Sequence, residues 1–127
     1  MKKIAFTLVV LSGVLFAQSA QEIIDANGCL ACHAVASKKA APAFAGIGKR
    51  NKRFEGADAK TVIMASIKNG SKGKYPRFSD TAMPPFANLS EGELGILADY
   101  ILAQSYKAKG HGGNCGSQGQ GKGMNKM

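Results

Sequence analysis

Two cysteines and a histidine lie within five residues, in the run Cys29-Leu30-Ala31-Cys32-His33. This Cys-x-x-Cys-His spacing is the attachment motif of a c-type haem. Two thiols three positions apart lie on one side of a helical turn, so both sulfurs can reach neighbouring vinyl groups of a single porphyrin. The imidazole that follows can then bind the iron. The motif therefore predicts one covalent haem c, bonded to Cys29 and Cys32 and ligated by His33.

Two other chemistries also use paired cysteines. A thiol–disulfide enzyme would set the motif in a βαβ pattern, whereas the flanking segments here are typical of helix or loop. A structural zinc site needs four ligands, and the remaining candidates, His111 and Cys115, lie far away in a Gly-rich stretch. The surroundings favour haem attachment over both alternatives. The sequence assigns no role to His111 or Cys115.

A second iron ligand is indicated by the run Thr81-Ala82-Met83-Pro84-Pro85. The two prolines fix the backbone after Met83 and push it away from helix. Such a stiff segment can hold a thioether at a set distance from a metal. Met64 lies inside a helical pattern, where methionine usually fills core space, and the methionines near the C-terminus lie in the Gly-rich stretch. We predict Met83 as the second axial ligand.

The N-terminal residues are typical of an export signal. A basic start, an apolar run over residues 4–16 and small residues at Ala17 and Ala20 match a secretory signal peptide. The run is shorter than the roughly 20 apolar residues of a membrane span. We predict a signal peptide over 1–20, with cleavage after Ala17 or Ala20, and a periplasmic protein without stable membrane insertion. An uncleaved anchor is the alternative.

The charge of the chain points to its partners. The sequence has 17 Lys and Arg against 8 Asp and Glu. Nucleic acid is an unsuitable target for an exported protein, so a basic surface favours redox protein partners with acidic docking surfaces. Residues 107–127 include seven glycines and bury too little apolar surface to order themselves. We predict a disordered tail there, following one monomeric domain over 21–106.

The folded part is predicted to be all-α, with about four short helices wrapped around the haem. Asp58 is a plausible N-cap for the third helix, and Gly70 a stop signal. Ser90 and Glu93 form a capping box before the apolar stripe of the last helix. The loop between these two helices is long. The predicted helices cover residues 21–33, 42 to about 49, 59–68 and 90 to about 102, and the loop covers 71–89.

These motifs together resemble class I cytochromes c, of the small bacterial monohaem kind. The resemblance covers about residues 21–105. It rests on the Cys-x-x-Cys-His site, on Ala41-Pro42-Ala43-Phe44, on Ile67-Lys68-Asn69-Gly70, on Ala82-Met83-Pro84-Pro85 and on the pattern of the last helix, with Tyr100 at its aromatic position.

The resemblance implies a periplasmic one-electron carrier between respiratory redox proteins, and not an enzyme. It implies that the Pro42 carbonyl accepts a hydrogen bond from His33, and that Tyr75 reaches a haem propionate. It also implies a tight crossing of the first and last helices, which brings Gly28 and Ile24 near Leu97 and Tyr100. Two departures from the family pattern are Ala41, where glycine is usual, and a lengthened loop over 77–81.

Two further expectations concern the surroundings of the haem. Apolar side chains should keep water from the iron, and one or more of four lysines should border the exposed haem edge. The alternative function is a haem protein with a labile sixth ligand, acting as a peroxidase or gas sensor; a subunit of a larger respiratory enzyme is a third possibility. The apolar residues are Phe44, Ile47, Val62, Ile67 and Phe86, and the lysines are Lys38, Lys39, Lys72 and Lys74.

Overall fold

The computed structural model describes residues 18–108 and shows an all-α fold, as expected. Residues 1–17 of the predicted signal peptide and residues 109–127 of the predicted tail, with His111 and Cys115, lie outside the described residues. The four α-helices are α1 (Ala20–Ala26), α2 (Phe44–Glu55), α3 (Ala59–Asn69) and α4 (Glu91–Ala103). Short 3-10 turns cover Cys29–Ala31, Gly56–Asp58, Pro76–Phe78 and Gln104–Lys107. Strands β1 (Ser71–Lys72) and β2 (Ala82–Met83) form a two-stranded antiparallel ladder.

Reciprocal capping boxes define the N-termini of α1 and α4. The Ser90 hydroxyl accepts from the Glu93 amide at 3.2 Å, and the Glu93 carboxylate accepts from the Ser90 amide at 2.8 Å. This is the cap that the Ser-x-x-Glu pattern predicts. Ser19 and Glu22 make the same pair of bonds at the start of α1. Each cap satisfies two backbone amides that would otherwise have no partner within the helix.

Several boundaries differ from the sequence-based expectation. The first helix ends at Ala26 because Gly28 turns the backbone with a φ of +64°. The second helix continues to Glu55. Asp58 does not cap the third helix, since its backbone is already helical and its side chain makes no capping bond. The loop over 71–89 includes the β1–β2 ladder and a 3-10 turn, both too short to give a periodic pattern.

Helix α4 forms the centre of the core, and α1, α2 and α3 all pack against it. A Cβ atom at Gly48 of α2 would collide with the backbone carbonyl of Ile101, so α2 and α4 approach each other at this glycine. The tight crossing expected at Gly28 has no such contact, because a Cβ there would meet no atom within 4 Å. The buried core includes Ile23, Ile24, Phe44, Ile63, Ile67, Leu89, Leu94, Leu97, Ala98 and Ile101.

Two surface ion pairs link α3 to α4. Lys60 and Asp99 are 2.8 Å apart, and Lys68 and Glu91 are 2.7 Å apart. All four side chains are well exposed, so each pair contributes at most about 1 kcal/mol to stability. The pairs agree with the side-by-side packing of these helices but do not create it.

Within residues 18–108 there is no helix long and apolar enough to cross a membrane.

Candidate haem site

The four helices and the 71–89 segment enclose a cavity of about 290 Å³. This volume is close to the lower end of the range of about 300–1,000 Å³ seen for cofactor pockets. Cys29, Cys32, His33 and Met83 all line it, so residues separated by more than 50 positions in the sequence share one cavity. Its apolar wall includes Ile24, Phe44, Ile47, Ile63, Ile67 and Phe86.

Cys29 begins a 3-10 turn that ends at Ala31, and Cys32 is the residue directly after this turn. The His33 amide donates to the Cys29 carbonyl at 2.9 Å, and the Cys32 amide donates to the same carbonyl at 3.3 Å. A 3-10 turn has three residues per turn, so side chains at positions i and i+3 are aligned. Cys29 and Cys32 therefore lie on the same side of the turn, as attachment to one planar ring requires.

The environment of Cys29 is unsuitable for a dithiol enzyme. Burial raises the pKa of Cys29 above its ordinary value, and the nearby Asp25 carboxylate acts in the same direction, against a backbone hydrogen bond that lowers it. Reactive cysteines of redox enzymes have lowered pKa values. Zinc is not favoured either, because no group of three or more His, Cys, Asp or Glu side chains comes together among the described residues.

The His33 ring is held by one hydrogen bond and one stacking contact. Its Nδ1 lies 2.6 Å from the Pro42 carbonyl oxygen, which can only accept a hydrogen bond, so the proton is on Nδ1. The ring stacks on Phe44 with centroids 5.2 Å apart and planes 22° apart. This tautomer leaves a lone pair on Nε2, and no hydrogen bond to Nε2 is found within residues 18–108. The ring is thus prepared to bind a metal.

Backbone hydrogen bonds fix the Pro42 carbonyl in its place. The Ala41 amide donates to the Cys32 carbonyl at 3.0 Å, and the Phe44 amide donates to the Ala34 carbonyl at 2.9 Å. The loop is thereby tied to the haem-attachment turn on both sides of Pro42. Ala41 replaces the expected glycine without strain, because no residue other than glycine in the described chain has a positive φ.

The Met83 segment is attached to the end of α3. Met83 pairs with Ser71 in the β1–β2 ladder, and the Phe86 amide donates to the Ile67 carbonyl at 3.0 Å. Gly70 lies close to the backbone of this segment. Its φ of +77° and ψ of 171° form a conformation that is essentially restricted to glycine. A Cβ atom at Gly70 would lie 2.6 Å from the Met83 carbonyl oxygen. The Met83 backbone is therefore fixed from both sides.

The predicted site residue Tyr75 lines the cavity as part of a larger polar group. Its hydroxyl accepts from the Asn51 amide at 3.3 Å, and the Arg50 guanidinium lies 5.3 Å from its ring centroid. Burial raises the pKa of Tyr75, against opposing effects of Asn51 and Arg50. The hydroxyl therefore keeps its proton at neutral pH and can donate it to an acceptor in the cavity.

Residues of the wall that sequence reasoning missed include Asn51, Ser66, Phe78 and Thr81, and Lys74 was expected only at the exposed haem edge. Asn51 lies in a strongly basic stretch that is typical of an exposed surface, yet it is fully buried. The one available signal was its position four residues after Ile47, on the same helix face. Phe78 and Thr81 belong to the inserted loop, where the Thr81 amide donates to the Phe78 carbonyl at 3.0 Å.

The residues of this site fit a haem. Two aligned thiols can form thioethers, an imidazole and a thioether can ligate iron, and a mostly apolar wall can cover the ring. The polar group around Tyr75 provides hydrogen-bond donors for carboxylates. The remaining predicted apolar residue, Val62, is half-buried but does not line the cavity, so we do not assign it to water exclusion.

The contact between Gly70 and Met83 yields a stability prediction. Gly70→Ala should destabilise the haem-loaded protein more than Gly56→Ala does. Both glycines have a positive φ, but a Cβ at Gly56 would meet no atom within 4 Å, and Gly56 is exposed and does not line the cavity. The Gly56 variant should therefore lose only the backbone cost of about 1–3 kcal/mol, and the Gly70 variant should lose more because the Met83 segment must move. Denaturant unfolding measures both; equal losses would contradict the proposed contact.

Comparison with known proteins agrees with this geometry. The profile of the cytochrome c family matches residues 17–105. Cytochrome c-552 of Nitrosomonas europaea is 36% identical over 87 residues, which is 68% of this chain and 80% of that protein. Cytochrome c-552 of Hydrogenobacter thermophilus is 34% identical over 105 residues, covering 81% and 98%. Cytochrome c-551 of Pseudomonas aeruginosa is 35% identical over 109 residues, covering 82% and 99%.

The folds agree as well. The crystal structure of wild-type Nitrosomonas europaea cytochrome c552 superimposes with a TM-score of 0.59 and 33% identity, covering 66% of this chain and 98% of that chain. The matched part of the sequence includes the cysteine turn, the Pro42 loop and the Met83 segment. The chain therefore belongs to the cytochrome c family, whose members carry covalently bound haem c and act as electron carriers and not as enzymes.

Proposed function

We propose that this protein is a periplasmic one-electron carrier with His/Met axial ligation of its haem. Cys29 and Cys32 would form the two thioethers, and His33 and Met83 would be the axial ligands. The observation that supports the proposal is the shared cavity, because it is lined both by the Nδ1-protonated imidazole of His33 and by Met83 on its fixed segment. Bound haem supplies a reversible Fe(III)/Fe(II) couple; the protein supplies the ligands and the environment.

The proposed ligands and the cavity wall suit a protein that carries electrons. With an imidazole and a thioether on the iron, no coordination position remains for a substrate. A thioether ligand raises the reduction potential, and an apolar wall acts in the same direction, since the oxidised centre carries one more positive charge. Phe44 and Ile67 are buried, and Ile47 and Phe86 are half-buried, in that wall.

The alternative, a peroxidase or gas sensor, requires a sixth ligand that leaves easily. The attachment of Met83 does not favour this. The ladder with Ser71, the Phe86–Ile67 hydrogen bond and the close approach of Gly70 all restrain the backbone around Met83. Release of the thioether would therefore need a rotation of the side chain alone or a disruption of the ladder.

Met83→Ala tests the axial ligand. The oxidised variant should lose the far-red sulfur-to-iron charge-transfer band and should bind added imidazole or cyanide readily. Its reduction potential should fall, since axial ligands set haem potentials over a range of about 0.8 V.

Met64→Ala is the matched control, because Met64 is half-buried against the core and does not line the cavity. This variant should keep both the band and the potential. Retention of the band in Met83→Ala would rule out Met83 as a ligand, and a wild-type protein that binds cyanide as readily as the variant would favour the alternative function.

We propose acidic redox proteins as partners, because basic side chains predominate around the cavity opening. Lys72 is exposed on the cavity rim, and Lys38 and Lys39 are exposed on the loop after the cysteine turn. The Lys39 ammonium also donates to the Leu30 carbonyl at 2.8 Å, which holds this charge beside the turn. Weak, charge-steered encounters allow a carrier to associate quickly and leave quickly.

Small inorganic reagents test this charge without a known partner. Oxidation of the reduced protein by the anionic complex ferricyanide should slow as ionic strength rises, because salt screens the attraction. Oxidation by a cationic cobalt complex should accelerate under the same conditions, because salt screens a repulsion. Stopped-flow absorbance measures both rates. The same salt dependence for both reagents would contradict a positive field at the site of electron exit.

The periplasmic location rests on the signal-like N-terminus, and the α1 cap favours one of the two cleavage sites. Cleavage after Ala17 keeps Ser19, whose hydroxyl accepts from the Glu22 amide at 3.3 Å. Cleavage after Ala20 removes Ser19 and starts the helix with a free ammonium beside the positive end of its dipole. Loss of such a cap costs about 1 kcal/mol. We propose that the mature chain begins at Gln18.

Intact mass and N-terminal fragments of the protein, recovered from the periplasm of a haem-attaching host, test this site. The mature protein should begin at Gln18 and should include the added mass of one haem. A start at Gln21 would contradict the capping argument. Retention of residues 1–17 would instead indicate the uncleaved anchor.

A further inference from the structure

Among the polar side chains that line the cavity, four are joined to one another by hydrogen bonds. Asn51 comes from α2, Ser66 from α3, and Lys74 and Tyr75 from the segment after β1; all four line the cavity. The Asn51 amide nitrogen donates to the Ile47 carbonyl at 2.8 Å as well as to the Tyr75 hydroxyl. Buried polar groups are retained where they find partners, so this cluster marks the part of the cavity suited to the polar edge of a ligand.

Lys74 carries the only formal charge of this cluster. Its ammonium donates to the Asn51 Oδ1 at 3.3 Å and to the Ser66 Oγ at 3.4 Å, and both of these oxygens are neutral. Neither of the two ion pairs of the described residues involves Lys74. A half-buried ammonium whose partners are neutral and distant would be stabilised by an anion.

The other charges around Lys74 do not supply that anion. Burial lowers the pKa of Lys74, the Glu55 carboxylate acts to raise it, and Arg50 acts to lower it. Glu55 lies beyond the distance of an ion pair. Tyr75 is neutral, since burial raises its pKa. Without a ligand, the surroundings therefore disfavour the charged form of this lysine.

Haem has two carboxylates, which lie on the ring edge away from the vinyl groups. Thioether bonds to Cys29 and Cys32 therefore direct the carboxylates away from the cysteine turn, and no residue of the polar cluster belongs to that turn. We propose that Lys74, held by Asn51 and Ser66, is the internal counter-ion of one haem carboxylate. The inference rests on the haem attachment of the proposed function and gives Lys74 a role inside the cavity, whereas the sequence analysis expected it only among the lysines at the exposed haem edge.

The pairing has a consequence for reduction. A carboxylate beside the Lys74 ammonium stays ionised at neutral pH, so that reduction takes up one electron and no proton there. Without the ammonium, the pKa of the carboxyl group rises. The pKa of this carboxyl group is higher in the reduced protein than in the oxidised protein, because the reduced iron carries one positive charge less. Reduction would then take up one electron and part of a proton, and the potential would fall as pH rises.

Haem-loaded Lys74→Gln tests this directly. Between about pH 5 and 8, its reduction potential should show an additional decline with rising pH that the wild type lacks. Lys49→Gln is the matched control, since it removes the same charge from an exposed position of α2 that does not line the cavity. Lys74→Arg should restore the wild-type profile, because it keeps the charge.

Three outcomes would overturn the inference: an unchanged profile in Lys74→Gln, the same change in Lys49→Gln, or no rescue by Lys74→Arg. A second measurement does not depend on a variant. NMR of isotopically methylated lysines in the haem-loaded wild type should give Lys74 a pKa above the ordinary value of about 10.4; a value below it would overturn the pairing even if Lys74→Gln failed to fold.

The same samples keep this inference separate from the proposed function. Mass spectrometry gives the haem content, and the far-red band gives the Met83 ligation. Loss of either in the wild type would count against the proposed function. Intact haem and an intact band, together with a pH profile that does not respond to Lys74, would count against the counter-ion alone.

Discussion

The hydrogen bond between His33 Nδ1 and the Pro42 carbonyl is the contact on which the site depends. It sets the tautomer of the ring, and through it the nitrogen that faces the cavity. The bond is made possible by the loop between the cysteine turn and α2, whose amides bind the carbonyls of Cys32 and Ala34. A rotation of α2 would move Pro42 and Phe44 together. The orientation of the imidazole is therefore coupled to helix packing, and not to the motif alone.

The second requirement of the site is a fixed position for Met83, and α3 provides it. The ladder with Ser71 continues directly from the end of this helix, and Gly70 allows the Met83 backbone to pass close by. Both α2 and α3 pack against α4, and α2 does so through the close approach at Gly48. The separation of the two expected iron ligands is thus set by how two helices pack against a third.

Much of this could be predicted from the sequence because its signals are local. The cysteine motif, the Ser90 capping box and the Gly70 stop each lie within a few residues, and each needs only its own segment to form. The ends of α1 and α2 could not be predicted in the same way. Asp58 was wrongly expected to cap α3, because it belongs to a 3-10 turn that precedes this helix and its backbone is already helical. Asn51 was missed since its partners lie 24 and 23 positions later.

The buried Asn51 shows how polar and apolar requirements are combined in one cavity. An apolar residue at this position would cover the porphyrin equally well, but it would remove the partner of the Tyr75 hydroxyl and would leave the Lys74 ammonium with Ser66 alone. The Asn51 amide uses its nitrogen for Ile47 and Tyr75 and its oxygen for Lys74. A side chain with both donors and an acceptor can orient two different neighbours at once. A cofactor with one polar edge is thereby given one favoured orientation, in addition to that set by its covalent bonds.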